Sequence, residues 1–271
     1  MYAGSTFNTK SGRVIGVHQK IDRVARRHLK KHLREASDFP TTKQILHFEG
    51  MNGPDGVKRK SPAVDEPWHF INPVNPHDRA IIDMILDHIH NLSAALKAGN
   101  EQRAAFEAAW MAHAITDGLT PAHHYPLEAK LEELRGGQGL ETRTSKRGKI
   151  LMTGKTKRQM VRNNWEFWGL RGVMTTHFNF ELGVATTVAA ERLEAGNPTQ
   201  AQIAYTRQHG YEAMFRRILN EINDMQMYDE FSRLGWTRHL ADETRKVLIP
   251  RIIQAVVLAW ILALDGAEKG E

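Results

Sequence analysis

The chain has 271 residues and a mass of 30.8 kDa, with 41% hydrophobic and 25% charged residues and a mean hydropathy of -0.48, the profile of a folded protein with ample core. It has no cysteine, which excludes a disulfide framework, a thiolate nucleophile, a cysteine-ligated zinc finger and an ordinary iron-sulfur cluster, so any metal site must use nitrogen and oxygen donors. The net charge is +6, and the 14 histidines are a surplus that points towards metal or acid-base chemistry.

Apolar residues recur at three- and four-residue intervals with hardly any period-two alternation, which predicts an all-α fold, a single-domain multi-helix bundle over 1–271. The N-terminal stretch MYAGSTFNTKSGRVIG lacks the apolar core of a signal peptide, so a cytoplasmic location is the expectation. Helices are predicted near 12–36, 76–98, 100–118, 125–135, 157–169, 172–195, 199–228 and 237–265, the last kinked at Pro250. Asn100 is placed to cap the third of these. Between the first two, residues 49–76 hold five prolines and three glycines with Trp68, His69 and Phe70, a long loop with apolar anchors. The run from Ile252 to Leu264 spans only 13 residues, short of a membrane span, and reads as a buried C-terminal helix.

Charge is concentrated in one place. Residues 142–163 carry eight Lys or Arg and no acid, within a segment 129–163 that reads as a basic insertion, and such a block suits an anionic membrane surface or nucleic acid. Its GKILMTGKT has one spacer residue too many for a phosphate-binding loop and no strand before it. The neighbouring Trp165, Phe167 and Trp168 are expected mainly as core, with base stacking or a lipid interface as the alternative.

The densest chemistry lies in HAITDGLTPAHH. His113 and Asp117 stand one helical turn apart, Pro121 ends the helix, and His123 follows, a set that suits zinc or a similar divalent ion. His177 and Glu181 repeat the four-residue spacing on another predicted helix. The remaining histidines have plainer roles: His28 and His32 lie on a basic, solvated face, His88 and His90 cannot share a helix face, and His124 is a neighbour of a ligand.

The order and spacing of these residues resemble the bacterial zinc-dependent phospholipase C family and its relatives, the fungal single-strand-specific nucleases, all-helical proteins built around three zinc ions. The H-x3-D-x3-P-x-H signature is met by His113, Asp117, Pro121 and His123. The loop histidine followed by phenylalanine corresponds to His69, the aspartate some 14 residues before it to Asp55 with Asp65 the competitor, and the N-terminal-helix ligand to His18. The resemblance implies one zinc on Asp55, His69, His113 and Asp117, a second shared through Asp117 with His18, and a third on His123, His177 and Glu181. It also implies phosphodiester hydrolysis at a two- or three-zinc centre, with Asp55 as general base and a phospholipid head group or other phosphodiester as substrate. The family's N-terminal tryptophan gives its amine and carbonyl to a zinc. Here Met1 stands 17 residues before His18 with no tryptophan before Trp68, so the His18 side is expected to fall short of a donor unless Asp22 or water substitutes. Glu at 181 and the absence of cysteine favour the phospholipase branch over the nucleases, and a metal-stabilised binding protein without turnover is the third reading.

Overall fold

The structure is a computed structural model that describes residues 1–2, 16–33, 38–60 and 70–268. It is all-α: helix accounts for 74%, and no strand occurs among the described residues. The helices are α1 (Val17–Leu29), α2 (Thr42–His47), α3 (Pro54–Lys60), α4 (Ala80–Lys97), α5 (Glu101–Gly118), α6 (Leu127–Leu134), α7 (Lys146–Ile150) and α8 (Lys157–Trp168). They are followed by α9 (Val173–Val188), α10 (Gln200–His209), α11 (Tyr211–Asp224), α12 (Met227–Leu234), α13 (Arg238–Glu243) and α14 (Ile249–Glu268).

The core forms around α14, which is apolar on nearly every side and is therefore enclosed by α1, α4, α5, α10 and α11. Its Trp260 is fully buried, and the indole N–H donates to the Ala108 carbonyl at 3.2 Å, so the one polar atom of a large side chain is satisfied inside the core. α5 turns a run of alanines, Ala104, Ala105, Ala108, Ala109 and Ala112, towards this centre, and small side chains let neighbouring helices approach closely. α1 buries Val17, Ile21, Val24, Ala25 and Leu29, the stripe expected of a 3.6-residue period.

The sequence-predicted boundaries differ from the observed ones in several places, among them α9, which ends at Val188 and not near 195. The helix expected over 199–228 is divided at Gly210, whose φ of +83° suits glycine, and ends before Gln226, which adopts φ +51°. The expected loop over 49–76 contains α3, placed immediately after a short 3-10 turn at Gly50–Asn52. The helix expected to kink at Pro250 runs continuously over Arg238–Glu268, with a π-helical turn at Thr244–Leu248 just before that proline. Proline lacks an N–H and its ring crowds the carbonyl four residues earlier, and the wider turn relieves both problems without breaking the rod. That 31-residue helix is apolar enough by length and composition to cross a membrane, but 78% of its most apolar window is buried within the protein, the position of a core helix.

A second, smaller apolar cluster lies apart from the main core. Leu131, Leu134, Met152 and Phe167 pack together with Val173 and Met174 at the start of α9. Asn163 ties this lobe by donating to the carbonyls of Leu134 (2.6 Å) and Thr153 (2.8 Å). Of the basic block, Arg143 is buried and donates to Lys149 O at 3.1 Å, while Lys149 reaches the carbonyl of Lys58, and partial burial lowers its ammonium to about 8.

Candidate metal centre

α5 presents His113 and Asp117 from one face, and the chain then turns sharply. Thr120 donates its hydroxyl to Thr116 O at 2.6 Å, Pro121 opens a 3-10 turn over Pro121–His124, and His123 swings back towards Asp117. The residue before the proline is extended, as the proline ring demands. α1 supplies His18 from the opposite side. The imidazoles of His18 and His113 stack at 3.8 Å between centroids, and the ligand atoms of His18, His113 and Asp117 lie within 4.8 Å of one another.

A second group adjoins the first. Glu181 Oε1 is 3.0 Å from His123 Nε2 and 3.0 Å from His177 Nε2, and these three also fall within 4.8 Å of one another. Asp117 Oδ1 is 4.0 Å from His123 Nε2, so a single carboxylate faces both groups. Phe70 stacks on the His123 ring at 5.0 Å, and the N–H of Ile71 donates to His123 O at 3.1 Å, so the end of the 49–76 segment packs on the centre. His69 and Asp65 lie outside the described residues.

The start of the chain lies on the His18 side, where a missing donor is expected. Val17 N–H donates to Tyr2 O at 2.8 Å, which folds Met1 back against α1. The Met1 amine lies 2.5 Å from Asp117 Oδ1 and 3.2 Å from Glu181 Oε1, and its carbonyl oxygen is 2.7 Å from His18 Nε2. Asp22, the alternative donor on α1, is buried: burial first, then the charge of Glu49, raises its carboxyl well above the usual carboxylate range, and its Oδ2 has no hydrogen-bond partner among the described residues.

Burial opposes every charge in this cluster, so the surviving charges show which partnerships dominate. Desolvation lowers the Met1 amine, but Asp117 and Glu181 hold it up at about 10. Desolvation raises Asp117 and Glu181, yet the amine and the surrounding imidazoles hold both well below their ordinary values. His113 is raised well above its ordinary value despite burial, by Glu49 and Asp117, whereas burial drives His123 down to about 3. The centre is therefore an anionic pair of carboxylates ringed by nitrogen donors and sheltered from water.

Asp55, from α3, stands at the edge with its side chain 25% exposed and Oδ1 3.8 Å from His113 Nε2. Glu49, which the sequence reading did not select, is buried with its two carboxylate oxygens 3.3 and 3.4 Å from His113 Nδ1. This contact orients the ring and leaves Nε2 turned towards Asp117 at 3.3 Å, the partner role carboxylates play behind metal-ligating histidines. No spacing signal marks Glu49, because it acts from a separate turn. His28, expected on a solvated face, is buried, since α1 packs that side inward.

The buried His/Asp/Glu groups could hold metal ions, and the donor set, imidazole and carboxylate without sulfur, suits zinc and several other divalent ions. Among known proteins, no family, no curated protein and no solved structure matches the chain.

Proposed function

We propose that the protein is a metal-dependent phosphodiester hydrolase, phospholipase C-like, with two or three zinc ions per chain. The observation that carries this reading is the adjacency of His18, His113 and Asp117 to His123, His177 and Glu181 through the single carboxylate of Asp117. Under this reading His18, Asp55, His69, His113 and Asp117 hold one part of the centre with the Met1 amine and carbonyl, and His123, His177 and Glu181 hold the other. Bound divalent ions supply acidified water and charge stabilisation for displacement at phosphorus. Asp55, partly exposed beside the buried ligands, orients the attacking water and accepts its proton. Glu49 holds the His113 ring in register, and burial of His18, His113, Asp117, His123 and Glu181 keeps bulk water from screening them.

The test is metal analysis of protein purified without chelators, followed by turnover of phospholipid and of single-stranded nucleic acid. Two or three zinc per chain with release of a phosphorylated head group supports the reading. Nuclease activity without lipid turnover replaces the substrate, zinc without hydrolysis of either leaves a metal-stabilised binding protein, and less than about half a metal per chain after reconstitution overturns the centre itself.

A further inference from the structure

The basic lobe carries an apolar surface that the main core does not use. Along α8, Val161, Trp165 and Trp168 follow at intervals of four and three and so share one face, while Asn163 and Phe167 take the buried side. Val161 is 65% and Trp165 69% exposed, and Leu170 just beyond the helix is 84% exposed. Trp168 donates its indole N–H to Ile150 O at 2.7 Å, which brings the exposed Leu151 alongside. The expectation of core packing thus holds for Phe167 and fails for both tryptophans, because the lobe's own cluster is too small to cover them.

The exposed charges along this stretch are mainly basic. Lys157, Arg158, Arg162 and Arg171 are exposed beside it, and the sole acid from 142 to 171, Glu166, shares Lys130 (2.5 Å) with Glu133 of α6 (3.0 Å). Cations and tryptophans would also suit a single strand of nucleic acid, where bases stack on the rings. The aliphatic side chains decide between the two: Val161, Leu170 and Leu151 gain nothing from stacking on bases and gain from burial at the boundary of head groups and acyl chains. Exposed tryptophans with flanking Lys and Arg are the side chains that settle at an anionic lipid interface.

We infer that the α7–α8 face is a membrane-docking surface that inserts Trp165, Trp168 and Leu170 into the interface of an anionic phospholipid bilayer. Val173 and Met174 pack against the same lobe and open α9, the helix that carries His177 and Glu181, so the docked surface is one helix away from the candidate metal centre. The inference does not depend on bound metal or on turnover.

The experiment is co-sedimentation of the full chain with vesicles of phosphatidylcholine alone and of phosphatidylcholine mixed equally with phosphatidylglycerol, at about 0.1 M salt. The expected result is preferential binding to the mixed vesicles, weakened roughly tenfold or more both by W165S/L170S and by R158A/R162A. Wild-type tryptophan fluorescence should shift to the blue with those vesicles and be quenched by brominated acyl chains, a reading independent of how the variants fold. No binding to mixed vesicles overturns the inference, as does oligonucleotide binding without vesicle binding, which would assign the face to nucleic acid. Vesicle binding lost in R158A/R162A but intact in W165S/L170S, without quenching, overturns insertion and leaves surface electrostatics alone.

Discussion

The two oxygens of Asp117 face different imidazoles, Oδ1 at 3.2 Å from His18 Nε2 and Oδ2 at 3.3 Å from His113 Nε2, while the rings stack 7° from parallel. One carboxylate thus sits where it can be shared, and Asp117→Asn tests the sharing because it keeps the shape and removes the charge. The variant should lose at least one equivalent of zinc by elemental analysis and at least about a hundredfold in affinity for the remainder, beyond the usual cost of losing an outer partner. Unchanged stoichiometry would remove Asp117 from the centre.

Glu181 stands in the same relation to His123 and His177, at 3.0 Å from each. Glu181→Gln should therefore release one metal equivalent while the sites around His18 and His113 keep theirs. Paired with Asp117→Asn, it separates two neighbouring groups from one loose cluster: loss of all metal in both variants would mean that the groups do not bind independently.

The H-x3-D-x3-P-x-H spacing was enough to bring His113, Asp117 and His123 together, because a helix and the proline that ends it fix the relative directions of the three side chains. The pairing of His177 with Glu181 was legible for the same reason of helical spacing. Met1 and Glu49 were not legible, since each arrives from a segment whose path depends on packing: Met1 through the Tyr2 to Val17 hydrogen bond and Glu49 from the turn before α3. The exposed faces of Trp165 and Trp168 were also hidden, because period alone marks apolar positions without saying whether enough core exists to cover them.

Glu49 offers a graded test. Removing its charge with Glu49→Gln leaves a group that can still contact His113 Nδ1 but no longer makes the ring more basic. Zinc affinity should fall about 10- to 100-fold with the stoichiometry kept, measured by competition with a chromogenic chelator. A larger loss, down to an empty centre, would mean that Glu49 is itself a ligand.

Gly183 on α9 carries a structural prediction for the same centre. A Cβ at this position would run into the Trp236 ring, and that ring is held by its N–H donating to Thr187 Oγ1 at 3.1 Å. Gly183→Ala must push α9 away from Trp236, and Glu181 lies two residues earlier on the same helix. The variant should melt lower, by about 1–3 kcal/mol of overpacking, and should weaken metal binding at the His177 and Glu181 side more than at the His18 side. Trp260→Ala provides the contrast: it should destabilise by about 3–5 kcal/mol through a core cavity, with zinc stoichiometry unchanged in the folded fraction.

The pH dependence has opposite signs with and without metal. In the metal-free protein Glu49 and Asp117 overcome burial and hold His113 protonated above its ordinary value. A raised folded-state value stabilises fully below the unfolded histidine value near 6.5 and is lost as pH climbs through the raised one, so this contribution to metal-free stability declines above about pH 6.5. Metal binding instead requires His113 to be neutral, so zinc must displace its proton, and apparent affinity should rise about tenfold per pH unit over the same window. Calorimetric titration at pH 7 in two buffers of different ionisation enthalpy should report at least about one proton released per zinc bound at this site. Release that is absent in wild type, or undiminished in His113→Gln that still binds zinc, would show that His113 carries no proton for the metal to displace.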